Sequence, residues 1–247
     1  MRRLAPDLGI ALLCTFAIAR PAPAQPQPSV TSSSFILPVA VHTQGQFGAF
    51  FKTHLAFYNA TDSTFTLNAT LYDSNGTPHF ASFPLSPNQS MAYADFVDEV
   101  FHITGAGTVK FDTGNAAFKI ALSAQVYTNG PCGDFGTDVP PIAAALSSAE
   151  SISPGVTNNS SQRANLACFN GSGATNVVTA DVFDERNFKV ESITFSLPGN
   201  AWVQKPLTRV VDGGYVRFHP SAPAACYAVD VTNSSNDGRF VLAQTWQ

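Results

Sequence analysis

The sequence predicts an all-β protein of two tandem β-sandwiches, and three observations predict it. The block LAFYNATDSTFTLNATLYDSNG at residues 55–76 recurs as LACFNGSGATNVVTADVFDERN at residues 166–187, displaced by 111 positions with no gap. Within the first copy Phe65, Leu67, Ala69 and Leu71 alternate with Thr66, Asn68, Thr70 and Tyr72, the period of a strand with one face on a core. Short segments of this kind, separated by Gly, Pro, Asn and Asp, follow one another at intervals of about 8 to 12 residues, as in a sandwich or barrel. No segment keeps a convincing helical period, and LSSAES at 146–151 is too short and polar for one.

The first element is a secretory signal peptide, residues 1–24. Arg2 and Arg3 precede an apolar run at 8–19, and Ala22-Pro23-Ala24 puts small residues where signal peptidase inspects them, so the mature chain is expected to begin at Gln25. The apolar run is short of the roughly 20 residues a membrane span needs. Cys14 lies inside it without the small residue that a lipoprotein site requires before its cysteine, and the rest of a twin-arginine signal is missing. Residues 25–33, rich in Pro and Ser, read as a flexible leader. The first sandwich is expected at 34–140, a Pro/Ala/Ser linker at 141–154, and the second sandwich at 155–247.

Within the sandwiches the repeat sets the strands. The inward set of the first copy becomes Asn176, Val178, Ala180 and Val182 in the second, apolar except at its first position; Asn59 matches Asn170, and Asp73 matches Asp184. FPLSPN (83–88) then matches FSLPGN (195–200), and GTVKF (107–111) matches GYVRF (214–218). Those offsets of 112 and 107 give the first copy about five extra residues around FVDEVFHITGA. The last strand is ambiguous: VYTN (126–129) lies over DVTN (230–233) at 104, whereas Phe135 and Phe240 prefer 105. A one-residue slip would reverse which side chains face inward.

Composition narrows the classes. Charged residues are 12% of the chain, against about 25% in an ordinary soluble domain, so Asn, Ser, Thr and Gln must supply the polar surface. Net charge is −4 and no Lys/Arg cluster follows the signal, which argues against nucleic acid as a partner. No apolar run after the signal approaches membrane-spanning length, so no transmembrane segment is expected in the mature chain.

The run ILPVAVHTQGQFGAFFKTHLAFYN at 36–59, with its alternating strand ending in Asp, and the closing VTNSSNDGRFVLAQ at 231–244 resemble the tandem immunoglobulin-like modules of secreted bacterial proteins. The resemblance covers most of the mature chain and its motifs are structural. It implies the fold and a periplasmic, cell-surface or extracellular location, and it brings no catalytic residue.

The candidate residues mostly read as structural. Cys168 and Cys226 fall where the first copy has Phe57 and Leu122, so two apolar core residues are replaced together by two cysteines, and a disulfide between them is expected; Cys132 is left unpaired. Asp73 and Asp184 are expected to cap the backbone N–H groups of hairpin turns, with Asn75-Gly76 accepting positive φ. As catalytic acids they would have to share a pocket, and the repeat puts them in different domains. The segments 129–138 and 233–240 hold oxygen-bearing side chains near glycines but lack calcium-loop spacing. His42, His54, His79, His102 and His219 are scattered, and no serine lies in a G-x-S-x-G turn. Trp202 and Trp246 could form a sugar-stacking platform, although buried core positions suit them better. N-x-[ST] triplets such as 59–61 and 170–172 follow from composition and imply no glycan. These readings point to a non-catalytic structural, adhesive or binding module with a protein or glycan partner and no cofactor or metal. A secreted hydrolase, or a carbohydrate-binding accessory module with a site in loops at one end of a sandwich, is the alternative.

Overall fold

The computed structural model describes residues 31–130 and 133–245; the expected signal peptide with its Cys14, the leader up to residue 30, Cys132 and Trp246 lie outside the described residues. The chain is all-β. Its first half forms β1 (Ser34–Gln44), β2 (Phe50–Asn59), β3 (Phe65–Tyr72), β4 (Pro78–Leu85), β5 (Ser90–Tyr93), β6 (Gly105–Asp112), β7 (Ile120–Gly130), β8 (Gly133–Asp138) and β9 (Ile142–Ala143). The second forms β10 (Ser151–Asn158), β11 (Gln162–Asn170), β12 (Asn176–Phe183), β13 (Lys189–Leu197), β14 (Trp202–Pro206), β15 (Val211–Pro220), β16 (Ala224–Thr232), β17 (Gly238–Leu242) and β18 (Gln244–Thr245). Among the described residues the one helical element is a π-helical turn, Val97–Phe101, inside the extra segment of the first half.

The pairings of the first half recur in the second. β3 lies between β4 and β6, β2 between β5 and β7, β8 on β7, and β1 on β6 and β9. In the same way β12 lies between β13 and β15, β11 between β14 and β16, β17 on β16, and β10 on β15 and β18. One ladder has no counterpart: β1 also pairs with β2, through His42, Thr43 and Gln44. Its partner β6 ladder shifts register between Leu37 and Ala40, where Pro38 has no N–H to contribute. Strand β1 therefore ties the first half into a single nine-stranded sheet, while the second half is a five-stranded and a four-stranded sheet.

Alternation places the cores. Phe65, Leu67, Ala69 and Leu71 are all buried, as are Val178, Ala180 and Val182. Asn176 also points inward and is satisfied there: Nδ2 donates to the Ala222 carbonyl at 2.9 Å, and Oδ1 accepts from the Ser221 hydroxyl and the Ala222 N–H. Val156, Val178, Phe195 and Val216 from the five-stranded sheet meet Leu166, Cys168, Cys226 and Ala228 from the four-stranded sheet in one sandwich-like core.

The strand register and the connections resolve in particular ways. Phe57 stands opposite Leu122, and Cys168 opposite Cys226, so the offset of 104 holds on this strand and Asp230 is buried. Phe135 pairs with Thr128 but Phe240 with Val229, because β16 and β17 are joined by a longer turn than β7 and β8. The segment read as a linker is paired chain at both ends: β9 hydrogen-bonds to β1, and β10 begins at Ser151. The end of the leader is held too, by the Ser32 bridge to Ile120.

Candidate functional site

The four-stranded sheet of the second half is buried on both faces. Leu166, Cys168, Cys226 and Ala228 face the core of their own half, and the alternate side chains Ala167, Phe169, Ala225 and Tyr227 join the core of the first half together with Trp202. The equivalent face of the first half is open, with Tyr58 37% exposed and Ser123 exposed. Local sequence explains the difference, since LACF and AACYAV are apolar on both strand faces, the pattern of a strand covered from both sides.

Polar contacts fix the same junction. The Trp202 N–H donates to the Asp73 carbonyl at 3.2 Å, and the Phe240 N–H donates to the Thr137 hydroxyl at 3.0 Å. Lys110 donates to Asn200 Oδ1 at 3.3 Å and lies over the Tyr72 and Phe169 rings. Its partial burial holds the ammonium pKa below the ordinary lysine value. Gly76, at φ 80°, faces the Gly199 carbonyl so closely that a Cβ would come within 2.2 Å of it.

Between the halves lies a cavity of about 230 Å³. Val39, Val41 and Phe51 line it from the first half, and Trp202, Tyr227 and Phe240 from the second. Trp202 Nε1 donates to the Tyr227 hydroxyl at 3.0 Å, and the Tyr227 ring packs on Phe240 with centroids 4.5 Å apart. Burial pushes the Tyr227 phenol far above its usual pKa, so it stays neutral at any physiological pH. Arg163 is among the polar residues lining the cavity; it donates to Asn233 and Asn236 and lies 5.3 Å from the Phe47 ring centre.

The residues singled out from the sequence fall into place as follows. Cys168 and Cys226 are joined by a disulfide between facing positions of β11 and β16. Asp73 Oδ1 accepts the N–H groups of Asn75 and Thr77, at 2.8 and 2.9 Å. Asp184 Oδ1 accepts those of Arg186 and Phe188, at 3.0 and 2.9 Å, and its Oδ2 is paired with the Arg186 guanidinium. Asn187, at φ 67°, takes the turn position held by Gly76 in the first half. The two aspartates are not equivalent in surroundings, since the Asp73 turn belongs to the junction.

The matched asparagines do more than end a strand. Asn59 Nδ2 donates to the Ser63 and Ser86 carbonyls at 2.8 and 2.9 Å, and its Oδ1 accepts the N–H and hydroxyl of Thr61. Asn170 repeats the network with Ala174, Pro198 and Ser172. The N-x-[ST] spacing is thus that of an exposed turn tied to a buried carboxamide, with the hydroxyl two residues on binding that same group.

Of the remaining candidates, Trp202 is 8% exposed and lines the junction cavity rather than an open sugar-stacking platform. The segment 129–138 is largely strand β7 and β8 rather than a cation loop, and Asn129 spends its amide on Asp134. His219 contacts Glu150 at 2.7 Å, and His79 lies 3.8 Å from Asp73. Sequence spacing does not mark His42 as a ligand, yet folding brings it within 4.8 Å of Asp95 and Asp98, 53 and 56 positions along the chain. The available signal was the pair of acids beside the extra segment of the first copy. No helix among the described residues is long and apolar enough to cross a membrane. No protein-family model matches the sequence, and no curated protein matches it.

Proposed function

We propose that the chain is a secreted, non-catalytic module of two tandem immunoglobulin-like domains, one carrying β1–β9 and the other β10–β18, acting as a structural, adhesive or binding unit at or outside the cell surface. The observation that carries this reading is the doubly buried sheet of β14, β11, β16 and β17. It makes the two halves one stiff body, which suits a spacer or a presenting scaffold better than a hinged enzyme whose cleft must open and close. The recurrence of the same strand pairings in each half supports the tandem reading. The cavity at the junction is below the roughly 300–1,000 Å³ of small-molecule sites, so it suits one protruding side chain or ring of a protein or glycan partner.

Export and binding are tested together. Intact mass of protein recovered outside the cytoplasm should correspond to a chain beginning at Gln25. That protein should bind envelope fractions saturably while releasing no product from polysaccharide, ester or peptide substrates. A retained signal peptide would contradict secretion, and turnover of any of those substrates would put the hydrolase reading ahead.

A further inference from the structure

The corner at the end of β1 differs from its counterpart in a way that points to a ligand. In the second half, Asn158 stands two residues beyond Val156, the partner of Gly214. Its amide donates to the Arg209 carbonyl at 2.8 Å and its Oδ1 accepts the Ala164 N–H at 3.0 Å, so a neutral side chain closes that corner. In the first half the same position, two residues beyond Ala40 and its partner Gly107, is His42. The connection facing it is the longer one that contains the π-helical turn Val97–Phe101, and it supplies Asp95 and Asp98.

The geometry at this corner is that of an open chelate. One ligand atom each from His42, Asp95 and Asp98 lies within 4.8 Å of the others. Asp95 is 8% exposed; its Oδ2 sits 2.7 Å from His42 Nδ1, and its Oδ1 is buried with no hydrogen-bond partner. A histidine–aspartate pair alone leaves this second oxygen desolvated and unpaired, which is costly for a carboxylate. The ring of His42 is held edge-on to Phe50, centroids 4.8 Å apart, and the Asp95 N–H donates to Glu99 Oε1 at 2.7 Å, so both inner groups are positioned before any ligand arrives. Asp98 is exposed and forms the entry side.

We propose that His42, Asp95 and Asp98 form a binding site for one divalent transition-metal cation, with Zn²⁺ the ion to test first. One imidazole and two carboxylates are ordinary zinc ligands at about 2.0–2.2 Å, with water completing the tetrahedron. The imidazole selects against calcium, which takes about six to eight oxygens. Binding releases the proton lying between His42 Nδ1 and Asp95 Oδ2 to solvent, the two side chains part to admit the cation, and Asp98 swings in by a side-chain rotation.

The test is calorimetric titration of ZnCl₂ into the untagged, EDTA-treated mature chain, alongside thermal melts. Wild type should bind one equivalent per chain and melt higher with the metal. Asp98→Ala, at an exposed position, should keep the metal-free melting temperature and weaken binding by roughly tenfold or more. His42→Gln should abolish binding, and His219→Gln, which removes the histidine beside Glu150 and Asp181, should leave it unchanged. Absence of saturable one-to-one binding, or binding unaffected by Asp98→Ala, would overturn the proposal.

Discussion

Replacing Asn59 with Ala should destabilise the protein by about 3 kcal/mol, and replacing Asn170 with Ala should cost nearly the same. Each carboxamide is fully buried and makes four hydrogen bonds shorter than 3.0 Å, two donated and two accepted. At about 0.5–1.5 kcal/mol net for each bond the range is roughly 2–6 kcal/mol. The lower part applies because Ser63 and Ala174 lie at exposed turns where water can replace the lost donor. Asn59→Asp should be worse than Asn59→Ala, since it sets a carboxylate oxygen against two carbonyls that had a donor. Urea unfolding followed by circular dichroism measures all three. If both alanine variants stayed within about 0.5 kcal/mol of wild type, the turn network would contribute nothing and the shared role of the two asparagines would be wrong.

Three further outcomes follow from individual contacts. Cys168→Ala combined with Cys226→Ala should lower stability by about 4 kcal/mol, because the bridge closes a loop of 58 residues; an unchanged urea midpoint would refute this. Asp184 is held below the usual carboxylate range chiefly by the Phe188 N–H, with Arg186 adding to it and burial opposing. Its contribution is therefore present above pH about 4 and lost as pH falls through the lowered value, so the stability difference between wild type and Asp184→Asn should shrink on acidification from pH 6 to 3; a constant difference would count against it. Gly76→Ala should destabilise the junction more than a surface turn substitution would, because the new Cβ meets the Gly199 carbonyl at a positive φ; a melt indistinguishable from wild type would show that the turn does not dock there.

Much of the fold was legible in the sequence because strand alternation and turn chemistry are local. The period of residues 65–71 and its copy identified an inward face, and the paired substitution of Phe57 and Leu122 by cysteines located the disulfide. Asp73 and Asp184 were readable as turn caps for the same reason. The junction was harder, although AACYAV carried its signal: an apolar residue at every position from 224 to 229 of β16 marks a strand covered on both sides, whereas its counterpart IALSAQ breaks the run with Ser123 and Gln125. The cluster at His42 lay beyond spacing arguments, because 53 residues separate it from Asp95 and only the β1–β6 pairing and the extra segment bring them together.

The fusion of the two halves through one buried sheet is tested most directly with Trp246→Phe, which leaves Trp202, in the shared core, as the only tryptophan. Urea unfolding of that variant should give one transition, with Trp202 fluorescence and the far-ultraviolet circular dichroism of the strands changing at the same midpoint. A fluorescence change completed at clearly lower urea, while the strand signal persisted, would mean that the halves separate before either unfolds and would contradict the single stiff body.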